Sequence, residues 1–364
     1  MKRRGNLFSS VVSLDNLRLA HQNARKGKSH YQDVQKVDAD PDRYLLALQR
    51  MLLDKTFTTS PYTTKIIHEP KRRMIYKLPY FPDRIVHHAV MQVMQPIWDR
   101  QFIFDLYSAI PGKGLHAGSY RLRQFLRDRE NTRYCLKFDV SKFYPSIRPE
   151  ILYGIVERTV KDPDVLWLLS DVIFSTPDGG VPIGNYLSQY FSNLYLTPFD
   201  HWIKEELGMQ YYIRYCDDGV ILHGDRARLV EVKDQIEVYF GTLGLRLNPK
   251  TSIFPVDRCG VDFLGYRCFR THTLLRKSAA RRFKQKVRQV EKDYQTMRPE
   301  AVLGGVGAYY GWLKHCNSHN LAKKYLYDNS SLRTAVEHAS ETGGVSCPKW
   351  LGAPSSPTRS VSIP

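Results

Sequence analysis

The sequence predicts an α+β fold, and two patterns favour this prediction. Apolar residues recur at helical spacing through much of residues 1–60 and again in DRIVHHAVMQVMQPIWDRQF, residues 83–102. Short runs rich in β-branched and aromatic residues alternate with these helical segments, among them TTKIIHEP, RMIYKLPY, YCLKFDV and YYIRYCDDGVILHG. Interleaved helices, strands and short hairpins are typical of a sheet with helices packed on one face.

Each element has its own local signal. The first two strand-like runs are separated by a basic segment, which predicts a hairpin with cations near its tip. A helix is predicted from Gly184 through LSQYFSNLYLTPFDHWI, and VDFLGYRCF is typical of a strand pair. From Lys277, an apolar stripe lies opposite a basic stripe, so we expect an amphipathic helix that buries one face. The apolar stripe comprises Phe283, Val287, Val290 and Tyr294.

The charge of the chain indicates a polyanionic partner. Its 364 residues include 54 Lys and Arg against 36 Asp and Glu, so the net charge is +18 and the pI about 9.6. Nucleic acid is the leading candidate, and an anionic membrane surface is the second. No apolar run is long enough to span a membrane, and the six cysteines form no CxxC pair. We therefore expect a cytoplasmic protein with reduced thiols and no membrane segment.

Three carboxylates stand out from this background. Asp217 and Asp218 lie between two strand-like runs, where aspartate is also a common turn residue. Asp139 ends the strand-like run YCLKFDV. If these strands are neighbours in one sheet, the three acids converge, and like charges held together need a cation. Mg²⁺ prefers oxygen ligands and substrate phosphates, so the pattern predicts a nucleotidyl-transfer site with two Mg²⁺ ions.

Five segments in order carry a family resemblance. FDVSKFY (138–144), PIGNYLSQYFSNLYL (182–196), YCDD (215–218), LGLRLNPKT (243–251) and FLGY (263–266) resemble the successive palm motifs of reverse transcriptases. The resemblance implies a right-hand polymerase, with an N-terminal extension and fingers over 1–125, a palm over 126–270 and a helical thumb over 271–340. The composition of residues 341–364 predicts a disordered tail.

The resemblance also implies roles for individual residues. Asp139 and Asp217 would bridge the two Mg²⁺ ions, with Asp218 in support and a further metal contact at Val140. Lys250 would protonate pyrophosphate, although it could equally be a plain surface cation. The bulk of Tyr144 would exclude a ribose 2′-hydroxyl. The remaining nucleotide-binding candidates are Lys71, Arg72, Arg73, Ile183, Gly184 and Gln189. The primer and template candidates are Phe263, Leu264, Gly265 and Tyr266 in a primer grip, and Arg281, Lys284 and Arg288 on the thumb helix.

The second motif distinguishes groups within the family. Intron-type enzymes typically read PQG and then Ser-Pro, whereas this chain reads PIG from Pro182 to Gly184 and then Ser188-Gln189. Together with NLRLAHQNARKGK and DRIVHHAV, this pattern resembles the reverse transcriptases of diversity-generating retroelements. The implied partners are a template-repeat RNA, the RNA/cDNA duplex, deoxynucleotides and a small basic accessory protein. The alternatives are a group II intron-like or domesticated reverse transcriptase of ordinary fidelity, an RNA polymerase, or an RNA-binding factor with an inactive palm.

Overall fold

The computed structural model describes residues 3–68, 72–344 and 348. The chain divides into two compact units, each built from two separate stretches of sequence. The first unit comprises Met1–Gly118 and Tyr134–Ile253, and the second comprises Ser119–Arg133 and Phe254–Pro364. The bounds of fingers, palm and thumb given above stay predictions. Lys71 and almost all of the expected tail lie outside the described residues.

Helices open the first unit, as the apolar spacing predicts. Ser13 and Asp40 cap two of them, because their side chains accept hydrogen bonds from backbone amides in the first turns. The helices are α1 (Phe8–Val12), α2 (Leu14–Ala24), α3 (Gln32–Ala39), α4 (Pro41–Leu53) and α5 (Ile85–Trp98). Helix α2 packs against both α4 and α5.

The predicted basic hairpin forms between α4 and α5. Strands β1 (Thr63–Ile67) and β2 (Arg73–Lys77) are antiparallel, with Thr63 opposite Lys77. Short helical turns lie at Tyr80–Arg84, Asp99–Gln101, Trp202–Glu206 and Lys323–Tyr327. Helix α6 (Leu115–Phe125) begins in the first unit and continues into the second.

A four-stranded sheet follows, in the order β4-β5-β3-β6. Its strands are β3 (Tyr134–Phe138), β4 (Tyr211–Tyr215), β5 (Asp218–His223) and β6 (Ser252–Pro255). The associated helices are α7 (Phe143–Ser146), α8 (Pro149–Glu157), α9 (Pro163–Ile173), α10 (Tyr186–His201) and α11 (Arg226–Thr242). Because β3 pairs directly with β5, the strand that leads to Asp139 lies beside the hairpin that carries Asp217 and Asp218.

One face of this sheet is aromatic and covered by helices, as the sequence predicts. Phe138 of β3 and Phe240 of α11 pack against Phe199 of α10, with ring centroids 6.1 and 4.6 Å from Phe199. Gly219 lies under the Phe138 ring, and an added Cβ would collide with that ring, so a side chain is excluded there. Side chains alternate along a strand, so Lys137 and Asp218 share the opposite face, where polar chemistry is possible.

The second unit combines a small sheet with a helical bundle. Its elements are α12 (Val256–Cys259), β7 (Val261–Phe263), β8 (Tyr266–Cys268), β9 (Thr273–Leu275), α13 (Lys277–Asp293), α14 (Pro299–Leu313), α15 (His319–Ala322) and α16 (Ser330–Thr342). Helices α13, α14 and α16 contact one another pairwise. The predicted apolar stripe is largely confirmed, because Phe283, Val287 and Val290 are completely buried and Tyr294 is partly buried.

A helix that spans a membrane needs about 20 mostly apolar residues. Among the described residues, no helix is long and apolar enough to cross a bilayer.

Candidate active site

The hairpin between β4 and β5 turns one residue earlier than the acidic pair suggests. Tyr215 pairs with Asp218, so the two-residue turn consists of Cys216 and Asp217. Cys216 adopts a left-handed backbone conformation with φ of 52°. Asp218 is therefore the first residue of β5 instead of part of the turn. A tight two-residue turn commonly needs positive φ, and cysteine supplies it here without glycine.

Asp139 and Asp217 come together at the end of the sheet. Asp139 directly follows β3, and its side chain lies within hydrogen-bonding distance of Asp217. Burial and the neighbouring Asp139 carboxylate raise the pKa of Asp217 to about 7. Asp218 adds a smaller repulsion and lies 4.0 Å from the Lys137 ammonium. The sheet thus concentrates negative charge in a partly buried position.

A loop after α11 holds Asp139 in place. Asn248 donates a side-chain hydrogen bond to Oδ2 of Asp139 (3.0 Å) and a backbone hydrogen bond to its carbonyl oxygen (2.8 Å). Val140 forms an antiparallel bridge with Leu247 in the same loop. Lys250 lies two residues beyond Asn248 and is exposed. The motif LGLRLNPKT was recognised in the sequence, but no role was predicted for Asn248. Its polar side chain between Leu247 and Pro249 was a signal that could have identified it.

The carboxylate oxygens of Asp139 and Asp217 are suitable ligands for a divalent cation. The two carboxylates are hard oxygen ligands, and a bound cation would relieve the repulsion that raises the pKa of Asp217. Within the described part of the chain, no group of three His, Cys, Asp or Glu side chains forms a metal site by itself. A bound ion would therefore need ligands besides Asp139 and Asp217, such as a backbone carbonyl or substrate phosphates.

A buried ion pair between Arg214 and Asp200 stabilises the β4–β5 turn, and it was not predicted from the sequence. Arg214 and Asp200 are both completely buried, and Nε of Arg214 donates to Oδ1 of Asp200 (2.7 Å). Nη1 of Arg214 also donates to the carbonyl oxygen of Cys216 (2.8 Å). The guanidinium thus ties helix α10 to the residue before Asp217. An arginine on the aromatic face of a strand was the available signal, because such a cation needs a buried partner.

A second contact fixes the other side of Cys216. Its amide donates to Oγ of Ser108 (2.9 Å), which in turn donates to Oδ1 of Asn193 (2.9 Å). Nδ2 of Asn193 donates back to the Ser108 carbonyl (2.9 Å). Both backbone polar groups of Cys216 are therefore held by buried side chains, and this arrangement restricts where Asp217 can point.

Tyr144 lies beside the turn. Its hydroxyl accepts a hydrogen bond from Oγ of Ser192 (3.4 Å), and burial raises its pKa above the ordinary value, with further contributions from Cys216 and Asp217. The residue expected to form the aromatic gate is therefore close to Asp217.

Ile183 and Gly184 lie against strand β2. The amide of Tyr76 donates to the Ile183 carbonyl (2.8 Å), which extends the pairing of the basic hairpin. Gly184 has φ of 120°, and an added Cβ would lie 2.8 Å from Ile75 and from the Tyr76 carbonyl, so glycine is required. Gln189 is exposed on α10.

The cationic candidates at the basic hairpin are solvent-exposed. Arg72 precedes β2 and Arg73 begins it, and both are exposed. Lys71, the third member of the group, lies outside the described residues. The structure gives neither arginine an interaction with the carboxylate pair.

The FLGY segment is a hairpin turn buried within the second unit. Phe263 and Tyr266 are completely buried, while Leu264 and Gly265 form the turn with φ of 51° and 83°. The Trp312 ring covers Gly265, and the Tyr266 hydroxyl donates to the Trp312 carbonyl (3.1 Å). The side chains of Phe263 and Tyr266 are therefore packed inside the second unit, where they shape the turn.

The cations expected to lie on a thumb helix differ in exposure. Arg281 and Arg288 are exposed on α13, whereas Lys284 is partly buried. The Lys284 ammonium lies 5.4 Å from the centre of the Tyr325 ring, so part of its role is to pack within the bundle.

The raised pKa of Asp217 predicts a pH-dependent stability in metal-free protein. The folded state holds this proton more tightly than the unfolded chain, so its stabilising contribution is complete below the ordinary pKa of 3.8 and is lost as the pH rises through about 7. The melting temperature in EDTA should fall by several degrees between about pH 5 and about pH 8, and by less in Asp217→Asn. Equal decreases in the two proteins, measured by thermal unfolding, would contradict this electrostatic coupling.

Known proteins resemble this chain in sequence over more than half of its length. Residues 67–268 match the family described as reverse transcriptase (RNA-dependent DNA polymerase). Protein YkfC of Escherichia coli (strain K12) is 27% identical over 237 residues, which cover 53% of this chain and 62% of that relative. The chain thus spans less than two thirds of the curated relative it matches.

Solved structures of telomerase are also similar. The telomerase of Candida albicans, in complex with a fragment of telomeric RNA, has a TM-score of 0.47 at 13% identity, covering 71% of this chain and 56% of that chain. A truncated apo telomerase of Candida tropicalis has a TM-score of 0.48 at 15% identity, covering 64% of this chain and 60% of that chain.

The family match includes all five palm-like motifs, from FDVSKFY to FLGY, and both strands of the hairpin that carries Asp217. The predicted family is confirmed, together with the α+β polymerase fold that it implies. The chain belongs to the reverse transcriptase (RNA-dependent DNA polymerase) family.

Proposed function

We propose that this chain is an RNA-directed DNA polymerase whose chemistry takes place at Asp139 and Asp217. The observation that carries the proposal is the partly buried carboxylate pair where β3 ends beside the β4–β5 turn. Two Mg²⁺ ions would be held by this pair, with the Val140 carbonyl and Asp218 as further ligands. When bound, such ions lower the pKa of an attacking hydroxyl and stabilise the leaving pyrophosphate.

The neighbouring residues would bind and select the nucleotide. Arg72 and Arg73, together with Lys71, would bind the triphosphate, and Lys250 would supply a proton to pyrophosphate. Tyr144 lies close enough to the turn to exclude a ribose 2′-hydroxyl by its bulk. Asn248 would keep Asp139 oriented for metal binding through its two hydrogen bonds.

Primer extension on a defined RNA template tests this proposal. The purified chain should extend a DNA primer with deoxynucleotides and should incorporate ribonucleotides poorly. Preferential use of ribonucleotides would instead favour an RNA polymerase. A chain that binds RNA but extends no primer would favour the RNA-binding factor.

We further propose that the enzyme belongs to a diversity-generating retroelement and copies a template-repeat RNA into adenine-mutagenised cDNA. Support comes from Ile183 and Gln189, which stand where the intron-type pattern has glutamine and proline. The backbone of Ile183 is fixed to β2, so its partly buried side chain has a defined position. A small basic accessory protein would be a partner. Near-identical flanking DNA repeats that differ mainly at adenines would separate this proposal from a group II intron-like or domesticated enzyme.

Replacement of Ile183 by glutamine should raise fidelity. Isoleucine can discriminate between base pairs only by steric fit, which contributes about 1 to 3 kcal/mol of selectivity. Glutamine can also form hydrogen bonds with a correct base pair, and these bonds are lost when the pair is mismatched. Ile183→Gln should therefore lower misincorporation opposite template adenine without abolishing synthesis. Sequencing of cDNA from matched reactions measures the effect, with Val181→Ile as a neighbouring control for altered packing. Identical error spectra for Ile183→Gln and the wild type would assign infidelity to another part of the pocket.

The basic face of α13 should contribute to template binding. Replacement of Arg281, Lys284 and Arg288 by alanine should weaken RNA binding. The slope of log binding constant against log salt concentration should become shallower by about 0.7 to 0.9 for each phosphate that is no longer neutralised. Fluorescence anisotropy over a range of salt concentrations measures the slope. Arg258→Ala, which removes another exposed cation of the same unit, serves as the control. An unchanged slope in the triple variant would show that this face is ordinary solvated surface.

A further inference from the structure

A cavity of about 500 Å³ lies in the first unit beside the loop that follows α11. It is lined by the end of α11, by residues 244–247 of the loop and by Arg148, the residue before α8. Its described lining includes neither Asp139 nor Asp217. The volume falls in the range of about 300 to 1,000 Å³ that is typical of sites for small ligands.

Two arginines give this cavity an uncompensated positive charge. Arg148 and Arg246 both contribute to the lining, and within the described part of the chain neither forms an ion pair. Glu237 is the carboxylate of the described lining, but the Lys233 ammonium lies 2.8 Å from it. Arginine binds phosphate groups through two parallel N–H donors, so a pair of arginines at one cavity favours a phosphate anion.

The loop fixes the position of Arg148. Gly244 has φ of 70°, and an added Cβ would collide with Nε of Arg148, so the guanidinium lies directly over the glycine. The Arg148 amide also donates to the Tyr195 hydroxyl (3.3 Å), which in turn donates to the Leu243 carbonyl. Arg148 therefore has a defined position beside the loop before a ligand binds, which lowers the entropic cost of binding.

Arg246 belongs to the same loop as the residue that orients Asp139. Its carbonyl oxygen accepts a hydrogen bond from the Ser141 amide (2.9 Å). Asn248, two residues later, donates the side-chain hydrogen bond to Asp139. An anion held by both guanidinium groups would therefore join the start of α8 to the loop that contacts the carboxylate pair.

We propose that Arg148 and Arg246 form a binding site for pyrophosphate that is separate from the metal-dependent catalytic centre. The ligand chemistry is a small polyphosphate anion, with one phosphate group for each guanidinium. The choice of pyrophosphate rests on the proposed function, because that reaction releases this anion. A phosphate of the RNA backbone offers related chemistry, and the test separates the two sources.

Isothermal titration calorimetry of the full chain in EDTA tests the site, with inorganic pyrophosphate as the probe. Without metal, the Asp139 and Asp217 carboxylates repel this anion, so binding at the catalytic centre is disfavoured. Wild type should still bind pyrophosphate. Arg148→Met and Arg246→Met should each weaken binding about tenfold or more, since each removes charge-assisted hydrogen bonds.

Two control variants separate this site from other cations of the same unit. Arg226→Met removes an exposed cation at the start of α11, and Lys250→Met removes the cation expected at the catalytic centre. Both should bind pyrophosphate in EDTA as wild type does. If Lys250→Met loses as much affinity as Arg148→Met, the anion binds at the catalytic centre and the proposal is overturned.

Thermal unfolding and RNA binding check the fold and the source of the anion. Both arginines are exposed, so each variant should melt at the wild-type temperature without ligand. If Arg148→Met is strongly destabilised through its contact with Gly244, the result for Arg246→Met decides. Fluorescence anisotropy with a short fluorescein-labelled RNA should show wild-type affinity in both variants. Weakened RNA binding with unchanged pyrophosphate binding would identify the RNA backbone as the source and overturn the proposal.

Primer extension by wild type in Mg²⁺ reports separately on the proposed function. Normal extension without pyrophosphate binding in EDTA, or with equal binding by wild type and both arginine variants, would reject the anion site alone. Binding that depends on both arginines, in a folded chain that extends no primer, would support the anion site and contradict the proposed function alone.

Discussion

Loss of both hairpin carboxylates should abolish cDNA synthesis while RNA binding stays nearly intact. In the double variant Asp217→Asn with Asp218→Asn, the amides cannot replace carboxylates as metal ligands, whereas the basic surfaces that bind phosphate are unchanged. Because metal-assisted stabilisation is worth several kcal/mol, the rate should fall by about a thousandfold or more. Single-turnover primer extension measures the rate, and fluorescence anisotropy measures RNA binding.

A matched control separates this effect from a general loss of acidic charge. Asp234→Asn changes an exposed acid on α11 in the same unit and should leave synthesis unchanged. The hairpin variant should also remain folded, because burial and Asp139 already disfavour the charged form of Asp217. Polymerisation retained by the double variant would contradict a catalytic role for the hairpin.

The largest expected effect on stability comes from replacing Arg214, the buried arginine that contacts the β4–β5 turn. Arg214→Met leaves the Asp200 carboxylate completely buried without its cation, and such uncompensated charges cost about 3 to 5 kcal/mol. Denaturant unfolding should therefore show a large loss in the free energy of unfolding. Arg18→Met, which breaks an exposed ion pair with Asp42, should cost far less. Equal losses in the two variants would contradict the importance of burial.

A triple variant tests whether Arg214 only stabilises the fold or also positions the β4–β5 turn. Arg214→Met with Asp200→Leu and Tyr212→Phe replaces the whole polar group by apolar side chains, which is often neutral for stability. Stability should then recover, but the Cys216 carbonyl still lacks the hydrogen bond that Arg214 donates. Primer extension should stay about tenfold below wild type at saturating nucleotide, with little change in KM. Full activity in a stable triple variant would show that Arg214 serves the fold alone.

Local patterns in the sequence were sufficient to predict the main helices and strands. The basic hairpin, the strand before Asp139, the β4–β5 hairpin and the amphipathic helix from Lys277 follow from spacing and composition, and the structure confirms each of them. The turn itself was placed one residue late, because pairing of Tyr215 with Asp218 depends on register across the strands. Strand β9 (Thr273–Leu275), which pairs with β8, was missed.

The candidate site was less predictable where it depends on distant contacts. The hydrogen bonds from Asn248 to Asp139 join residues 109 positions apart, so the local sequence marks Asn248 as a polar residue but does not indicate its partner. The buried contact between Arg214 and Asp200 likewise requires the helix and strand to be packed first. Trp312 lies over Gly265, and Phe263 and Tyr266 are completely buried, although the segment resembles a primer grip. Roles for Lys250, Gln189 and the basic hairpin stay predictions.

Single-nucleotide extension of a DNA primer annealed to RNA of known sequence tests most directly whether Asp139 and Asp217 form the centre of an RNA-directed DNA polymerase. Wild type should add the complementary deoxynucleotide in Mg²⁺, stop when EDTA removes the metal, and resume when Mg²⁺ is restored. Asp139→Asn should bind the same duplex and add nothing. Extension by Asp139→Asn at the wild-type rate, or no extension by folded wild-type protein that binds the duplex, would contradict this mechanism.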